Sequence, residues 1–199
     1  MGSLAKTWLL AACCFAGAAW GQADEARAKK IVAGVCFICH GMEGESSSEV
    51  FPRLAGQHWE YTAKQLDHFK SGKRKSTAMA DMAAKLTPDE MVALGKYFEK
   101  MNVPTEPVKD TDLAAVGRYI FHSGNKYSGV AACASCHGKE GLGTSQLPRL
   151  AGQYAIYIEA QLKSFGARER TNDNAVMHAI VRSMTALEMA AVAEYLSGK

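Results

Sequence analysis

Apolar positions along the chain fall at helical spacing, and no alternating pattern of useful strand length appears, so the sequence predicts an all-α fold. Ala26 to Val35 reads as a first helix, matched by Leu113 to His122. Trp59 to Lys70 reads as a second. Its partner, Tyr154 to Phe165, stacks Tyr157, Gln161 and Phe165 at four-residue intervals. The third begins at a strong start signal: Thr87 caps, Pro88 takes the first helical position and Glu90 completes a capping box. Thr185 and Glu188 repeat that signal.

These matches belong to an internal repeat. Pro52-Arg53-Leu54-Ala55-Gly56-Gln57 recurs as Pro148-Arg149-Leu150-Ala151-Gly152-Gln153, 96 positions on, and Tyr61, Gln65-Leu66 and Phe69 recur as Tyr157, Gln161-Leu162 and Phe165. After Arg74 and Arg170 the second copy gains two residues, pairing Met79 with Met177, Met91 with Met189 and Tyr97 with Tyr195. The chain therefore divides into a leader (1–23), a first unit (24–103), a linker holding Pro104 and Pro107 (104–111) and a second unit (112–199).

The leader has one charge, Lys6, then an apolar run to Trp20 and small residues, with no further charge until Asp24. That is the form of a cleavable secretory signal, with cleavage near Gly21 or Ala23. It is too short to span a membrane, which takes about 20 apolar residues. Leu10-Ala11-Ala12-Cys13 loosely resembles a lipoprotein box, but the apolar stretch before Cys13 is very short for one. Losing the leader takes Cys13, Cys14 and Lys6, so the formal charge falls from +3 to +2. No basic tract suggests nucleic acid, and none is expected as a partner.

Four cysteines remain, in Cys36-Phe37-Ile38-Cys39-His40 and Cys133-Ala134-Ser135-Cys136-His137, 97 positions apart. Cys-x-x-Cys-His is the attachment signature for c-type haem. Two thiols three positions apart reach the vinyl groups on one porphyrin edge, and the following His lies under the ring to bind iron. A closed zinc site would use all four cysteines and leave two adjacent histidines unexplained. A redox dithiol needs neither the histidine nor the second copy. Two covalent haem c groups are expected, held by Cys36, Cys39, Cys133 and Cys136, with His40 and His137 as axial ligands. Units of this size have thin cores, which the haems should help to fill.

The sixth ligand separates catalysis from electron transfer. His58, His68, His122 and His178 have no histidine counterparts in the other unit, which argues against matched bis-His ligation. The methionines do pair. Met79 and Met177 follow polar segments (Lys75-Ser76-Thr77 and Thr171 to Asn174), read here as loops able to fold over the far haem face. A thioether there favours ferrous iron. Met91 and Met189, four residues after each Thr cap, read as packing residues, and Met82, aligned with Ile180, as core. Backbone carbonyls of Pro52 and Pro148 are candidates to accept the second ring proton of each haem histidine, the alternative being prolines that merely shape a turn. Arg53 and Arg149 are candidates for propionates, or else surface arginines. Gln57, Gln153, Trp59, Tyr61 and Tyr157 could bond propionates or line the interface between units. Lys73-Arg74-Lys75 and Arg168-Glu169-Arg170 read as solvated faces, or as docking charges for an acidic partner.

With Gly41 and Gly138 completing both motifs, the repeated Pro-x-Leu-x-Gly-Gln block, Gly72-Lys73-Arg74, Arg170-Thr171-Asn172-Asp173 and the matched Met79 and Met177, essentially the whole mature chain resembles the cytochrome c4 family. The resemblance implies two class I cytochrome c domains about a pseudo-twofold axis, propionate edges facing across the interface and His/Met iron. It further implies a periplasmic protein, not an enzyme, expected to be a monomer. Such a protein carries single electrons from quinol-oxidising complexes or dehydrogenases towards terminal oxidases. An electron-accepting subunit of a dehydrogenase, resembling that of flavocytochrome c, is the alternative reading. A dihaem peroxidase is disfavoured by the matched methionines.

Overall fold

In the first unit, α1 (Cys13–Ile31) runs through a π-helical turn (Val32–Cys36) into α2 (Phe37–His40), followed by α3 (Trp59–Lys70), α4 (Thr77–Ala84) and α5 (Pro88–Glu99). The second repeats the order: α6 (Thr111–Ser123), α7 (Ala134–His137), α8 (Ala155–Gly166), α9 (Val176–Val181) and α10 (Ala186–Ser197). This computed structural model describes residues 13–199, with side chains from Gly21 onward apart from Ala23. Of the expected signal peptide (1–23), positions 1–12 lie outside the described residues. Among the described residues there is no β-strand, and no helix is long and apolar enough to cross a membrane.

Each unit is built by crossing its first and last helices, α1 on α5 and α6 on α10, with α3 or α8 packed alongside. Both final helices start as their caps dictate. Glu90 N–H donates to Thr87 Oγ1 (3.3 Å) while Thr87 N–H donates to Glu90 Oε2 (2.8 Å), and Thr185 and Glu188 do the same (3.2 and 2.7 Å). Ala28, Val32, Leu94, Tyr97 and Phe98 form the first core. The second is larger, around Phe121, Ile158, Phe165, Met189, Val192 and Leu196. In it α6 and α10 meet backbone to backbone: a Cβ on Gly117 would lie 1.8 Å from the Ala191 carbonyl oxygen.

Two expectations change. The first helix begins well before Ala26, and the segments at Met79 and Met177 are short helices rather than loops. The polar residues before them bond their first turns: Ser76, the N-cap of α4, accepts through Oγ from Met79 N–H (3.4 Å), and the carboxylate of Asp173, two positions ahead of the α9 N-cap Ala175, accepts from Met177 N–H (2.6 Å).

The second unit also carries a loop, from Ser123 to Val130, that the first lacks, because α1 runs directly into its cysteine motif. Asn125 and Val130 close it by mutual backbone bonds (2.8 and 3.0 Å). Glu188, buried, fastens it by accepting from Asn125 Nδ2 (2.6 Å) and Ser128 Oγ (3.0 Å).

The units face each other through reciprocal contacts, the mark of an approximate twofold relation. Arg53 N–H donates to Gln153 Oε1 (2.9 Å) and Gln153 Nε2 to the Arg53 carbonyl (3.0 Å). Arg149 and Gln57 repeat this at 2.9 and 3.0 Å. The connecting segment is fastened too. Val103 lies against Gly56 and Gly152, and buried Glu194 accepts from the backbone N–H groups of Lys109 and Asp110.

Candidate haem sites

Cys36, Cys39 and His40 stand three and four positions apart on continuous helix, and so share a face. Cys133, Cys136 and His137 repeat this at α7. All four thiols are free. Both histidines are buried. His40 Nδ1 donates to the Pro52 carbonyl (3.0 Å) and His137 Nδ1 to that of Pro148 (3.1 Å), which leaves the Nε2 lone pair for a metal. The repeated Pro-Arg-Leu-Ala block sets this geometry. Leu54 and Ala55 N–H both donate to Gly44 O, and Leu150 and Ala151 N–H to Gly141 O, tying each proline to the turn after its histidine. Burial lowers the basicity of both imidazoles, partly offset by the proline carbonyls, and so favours the neutral, ligating form. Burial also pushes the Cys36 thiol up, and that of Cys133 to about 11.

Met79 and Met177 are half-buried in the first turns of α4 and α9. Met177 packs on the same apolar cluster as Cys133, Ala134 and Leu150. Met91 and Met189 are buried within α5 and α10. The four remaining histidines have other partners. His58 Nε2 donates to Leu142 O (2.8 Å), His68 meets Asn172 (2.9 Å), His122 meets Tyr195 Oη (3.0 Å) and His178 donates to Phe165 O (3.0 Å).

The paired arginines have different fates. Arg53 is 4% exposed, and its guanidinium bonds Gly152 O (2.7 Å), Pro104 O (3.3 Å) and the Glu106 carboxylate, and stacks on the Tyr154 ring. Arg149 is half-buried and donates from Nε to Ala151 O (3.1 Å). Arg74 and Arg170 are not surface charges; they cross the interface. Arg74 donates to Gln65, Tyr157 and Gln161, and Arg170 to Gln161, Tyr61, Gln65 and Asn172. Every one of these acceptors is a neutral oxygen, and neither arginine is ion-paired among the described residues. Two cations this enclosed, without an anion, suit a carboxylate brought by a cofactor. The matched Arg74/Arg170 pair was the available sequence signal for them.

Two thiols, an imidazole with a free Nε2 and a nearby thioether make a donor set that fits haem c in the second unit. The first unit has the same thiols and imidazole, with Met79 on the helix after α3.

The comparisons agree with this chemistry. Residues 23–98 match the family model described as cytochrome c oxidase, cbb3-type, subunit III, and residues 121–198 match that for cytochrome c. The chain is 39% identical over 182 residues to a cytochrome c4 of Thiocapsa roseopersicina, covering 89% of this chain and 91% of that one. It is 34% identical over 172 residues to a thiosulfate dehydrogenase electron acceptor of Thiomonas intermedia, covering 84% and 79%. Its fold superposes on the crystal structure of reduced cytochrome c4 from Pseudomonas stutzeri with a TM-score of 0.82 at 31% identity, covering 87% and 97%.

Proposed function

The chain belongs to the cytochrome c4 family, a family of electron carriers with two haem c groups, and on that footing we propose that it shuttles single electrons in the periplasm. Upstream stand quinol-oxidising complexes or dehydrogenases, downstream a terminal oxidase. Each haem supplies one-electron storage at iron. Cys36 and Cys39 would tether one and Cys133 and Cys136 the other. His40 and His137, held by Pro52 and Pro148, would ligate the irons. Met79 and Met177 would ligate them too, leaving neither iron a site for substrate, so that the protein would act as a carrier rather than an enzyme. Arg74 and Arg170, with Arg149, balance the propionates, while Arg53 acts as a structural bolt to the connecting segment.

The observation that carries this reading is the duplicated histidine–proline bond at 3.0 and 3.1 Å, which frees one ring nitrogen in each unit. A redox titration with axial-ligand spectroscopy tests it. Two one-electron steps and two methionine–iron charge-transfer signals are expected. Ferric iron that takes up cyanide readily at rest overturns the closed-site reading.

A second reading, a fixed electron-accepting subunit of a dehydrogenase, draws on the likeness to thiosulfate dehydrogenase electron acceptors. The native mass in an extract of the source distinguishes them: a free carrier elutes alone, a subunit with its enzyme.

A further inference from the structure

The first cysteine turn carries large exposed apolar side chains where the second carries alanine and serine. Cys39 and His40 turn inward, while Phe37 and Ile38 occupy the other side of the helix and Val35 precedes Ile38 by three positions. The loop from Ser46 to Phe51 is stitched to this turn. Ser47 Oγ donates to the Ile38 carbonyl (3.1 Å), and Ser46 Oγ lies within hydrogen-bond reach of those of Cys39 (3.3 Å) and Phe51 (3.0 Å), which brings Val50 and Phe51 alongside. Ile38 is 61% and Val50 60% exposed, and Val35, Phe37 and Phe51 are exposed too.

The second unit is an internal control. Ala132, Ala134, Ser135, Gln146 and Leu147 hold the corresponding positions. The same scaffold folds there with small or polar residues at four of these five positions, so folding does not explain the patch. A clustered apolar surface that the fold does not need marks an interaction site.

Charge differs in the same place. Glu43 and Glu45 flank the first turn, exposed and in no ion pair among the described residues, while Glu49 is paired with Lys109. In the second unit the position of Glu43 holds Glu140, which is paired with Lys199, and that of Glu45 holds Leu142.

We propose that Val35, Phe37, Ile38 and Val50, rimmed by Glu43 and Glu45, form the docking site for a redox protein whose own cofactor lies beneath an apolar face ringed by lysine or arginine. The proposal rests on the electron-carrier reading above and deepens it: electrons enter or leave through the first unit and reach the second only inside the chain. In each encounter one partner is oxidised by one electron and the other reduced by one, and no bond forms or breaks. Such complexes are small and short-lived, with an apolar centre for close approach and a charged rim for steering.

The test uses the holoprotein with Phe37→Ala, Ile38→Ser and Val50→Gln, residues the second unit already tolerates. Electron exchange is followed by stopped flow against a lysine-ringed monohaem cytochrome c, with hexacyanoferrate as a small control oxidant. The cytochrome rate is expected to fall about tenfold, within the range by which interface changes alter association, with hexacyanoferrate rates and both potentials unchanged. Glu43→Gln with Glu45→Gln should flatten the dependence on ionic strength. An unchanged cytochrome rate overturns the proposal, as does a rate that rises with salt. So does a shift in either potential, which would assign these residues to the haem environment. Wild-type dimers abolished in the triple variant would give the patch to a second copy of the chain and likewise overturn it. Fewer than two haems in the wild type would sink the underlying reading and the proposal together.

Discussion

Gln153 grips the backbone of Arg53 with both ends of its amide, accepting from the N–H at 2.9 Å and donating to the carbonyl at 3.0 Å, and Gln57 does the same to Arg149. The arrangement works like one rung of a β-ladder made by a side chain. Arg53 and Gln153 are both buried, so water cannot replace these bonds. Gln153→Ala is therefore expected to cost about 1–3 kcal/mol, the range for stranding buried polar groups. Gln57→Ala combined with Gln153→Ala should split the calorimetric transition into two, one per unit. A single sharp transition in the double variant would show that the two clasps do not couple the units.

Axial ligation is separable by unit. Met177→His should lower one haem potential by on the order of 0.1 V, well inside the ~0.8 V range that axial ligands command, and remove half of the methionine–iron charge-transfer absorbance. Met79→His should do the same to the other haem. Met91→Leu, a volume-conserving change in a buried site, should cost less than about 1.5 kcal/mol and leave both spectra intact. Loss of a thioether signal in Met91→Leu would move the ligand assignment to Met91.

Close packing at the α6–α10 crossing gives a third expectation. A Cβ at position 117 would lie 1.8 Å from Ala191 O, which is backbone and cannot swing aside. Gly117→Ala should destabilise the second unit by about 3 kcal/mol, at the upper end for overpacking. In denaturant titrations the methionine–iron charge-transfer absorbance of the second unit should be lost first. Unchanged unfolding would mean that the helices slide apart at no cost.

What the sequence made legible was local chemistry. Cys-x-x-Cys-His, the Thr-Glu capping boxes and α3 are each written within a few residues, and α3 spans the expected Trp59–Lys70. The starts of α4 and α9 were hidden, because Ser76 and Asp173 look the same whether they open a helix or a loop until their N–H donors are placed. Arg74 and Arg170 were hidden for a different reason: their acceptors Tyr157 and Tyr61 lie 83 and 109 positions away. The repeat also misled in one respect, by implying equal roles for Arg53 and Arg149. In the connecting segment Pro104 and Glu106 capture Arg53, and among the described residues Arg149 has no such partner.

The loop that only the second unit carries gives a pH-dependent prediction. Burial pushes the Glu188 carboxyl up, but donors from Thr185, Asn125 and Ser128 outweigh it and hold the group below the ordinary glutamate value of 4.5. A carboxyl with a depressed folded value contributes stability that is fully present above its unfolded value and is lost as pH falls through the folded one. Glu188→Gln keeps the shape but gives up the charge and one accepting oxygen, and should cost about 1–2 kcal/mol at pH 7. The difference in Tm between wild type and variant should hold from neutral pH down to about 5, then shrink below 4.5 as the wild type also protonates. Glu90, its counterpart in α5, caps Thr87 in the same way but anchors no loop, so Glu90→Gln should show a smaller difference. A Glu188→Gln penalty that stays constant to pH 3 would show that shape, rather than charge, holds the loop in place.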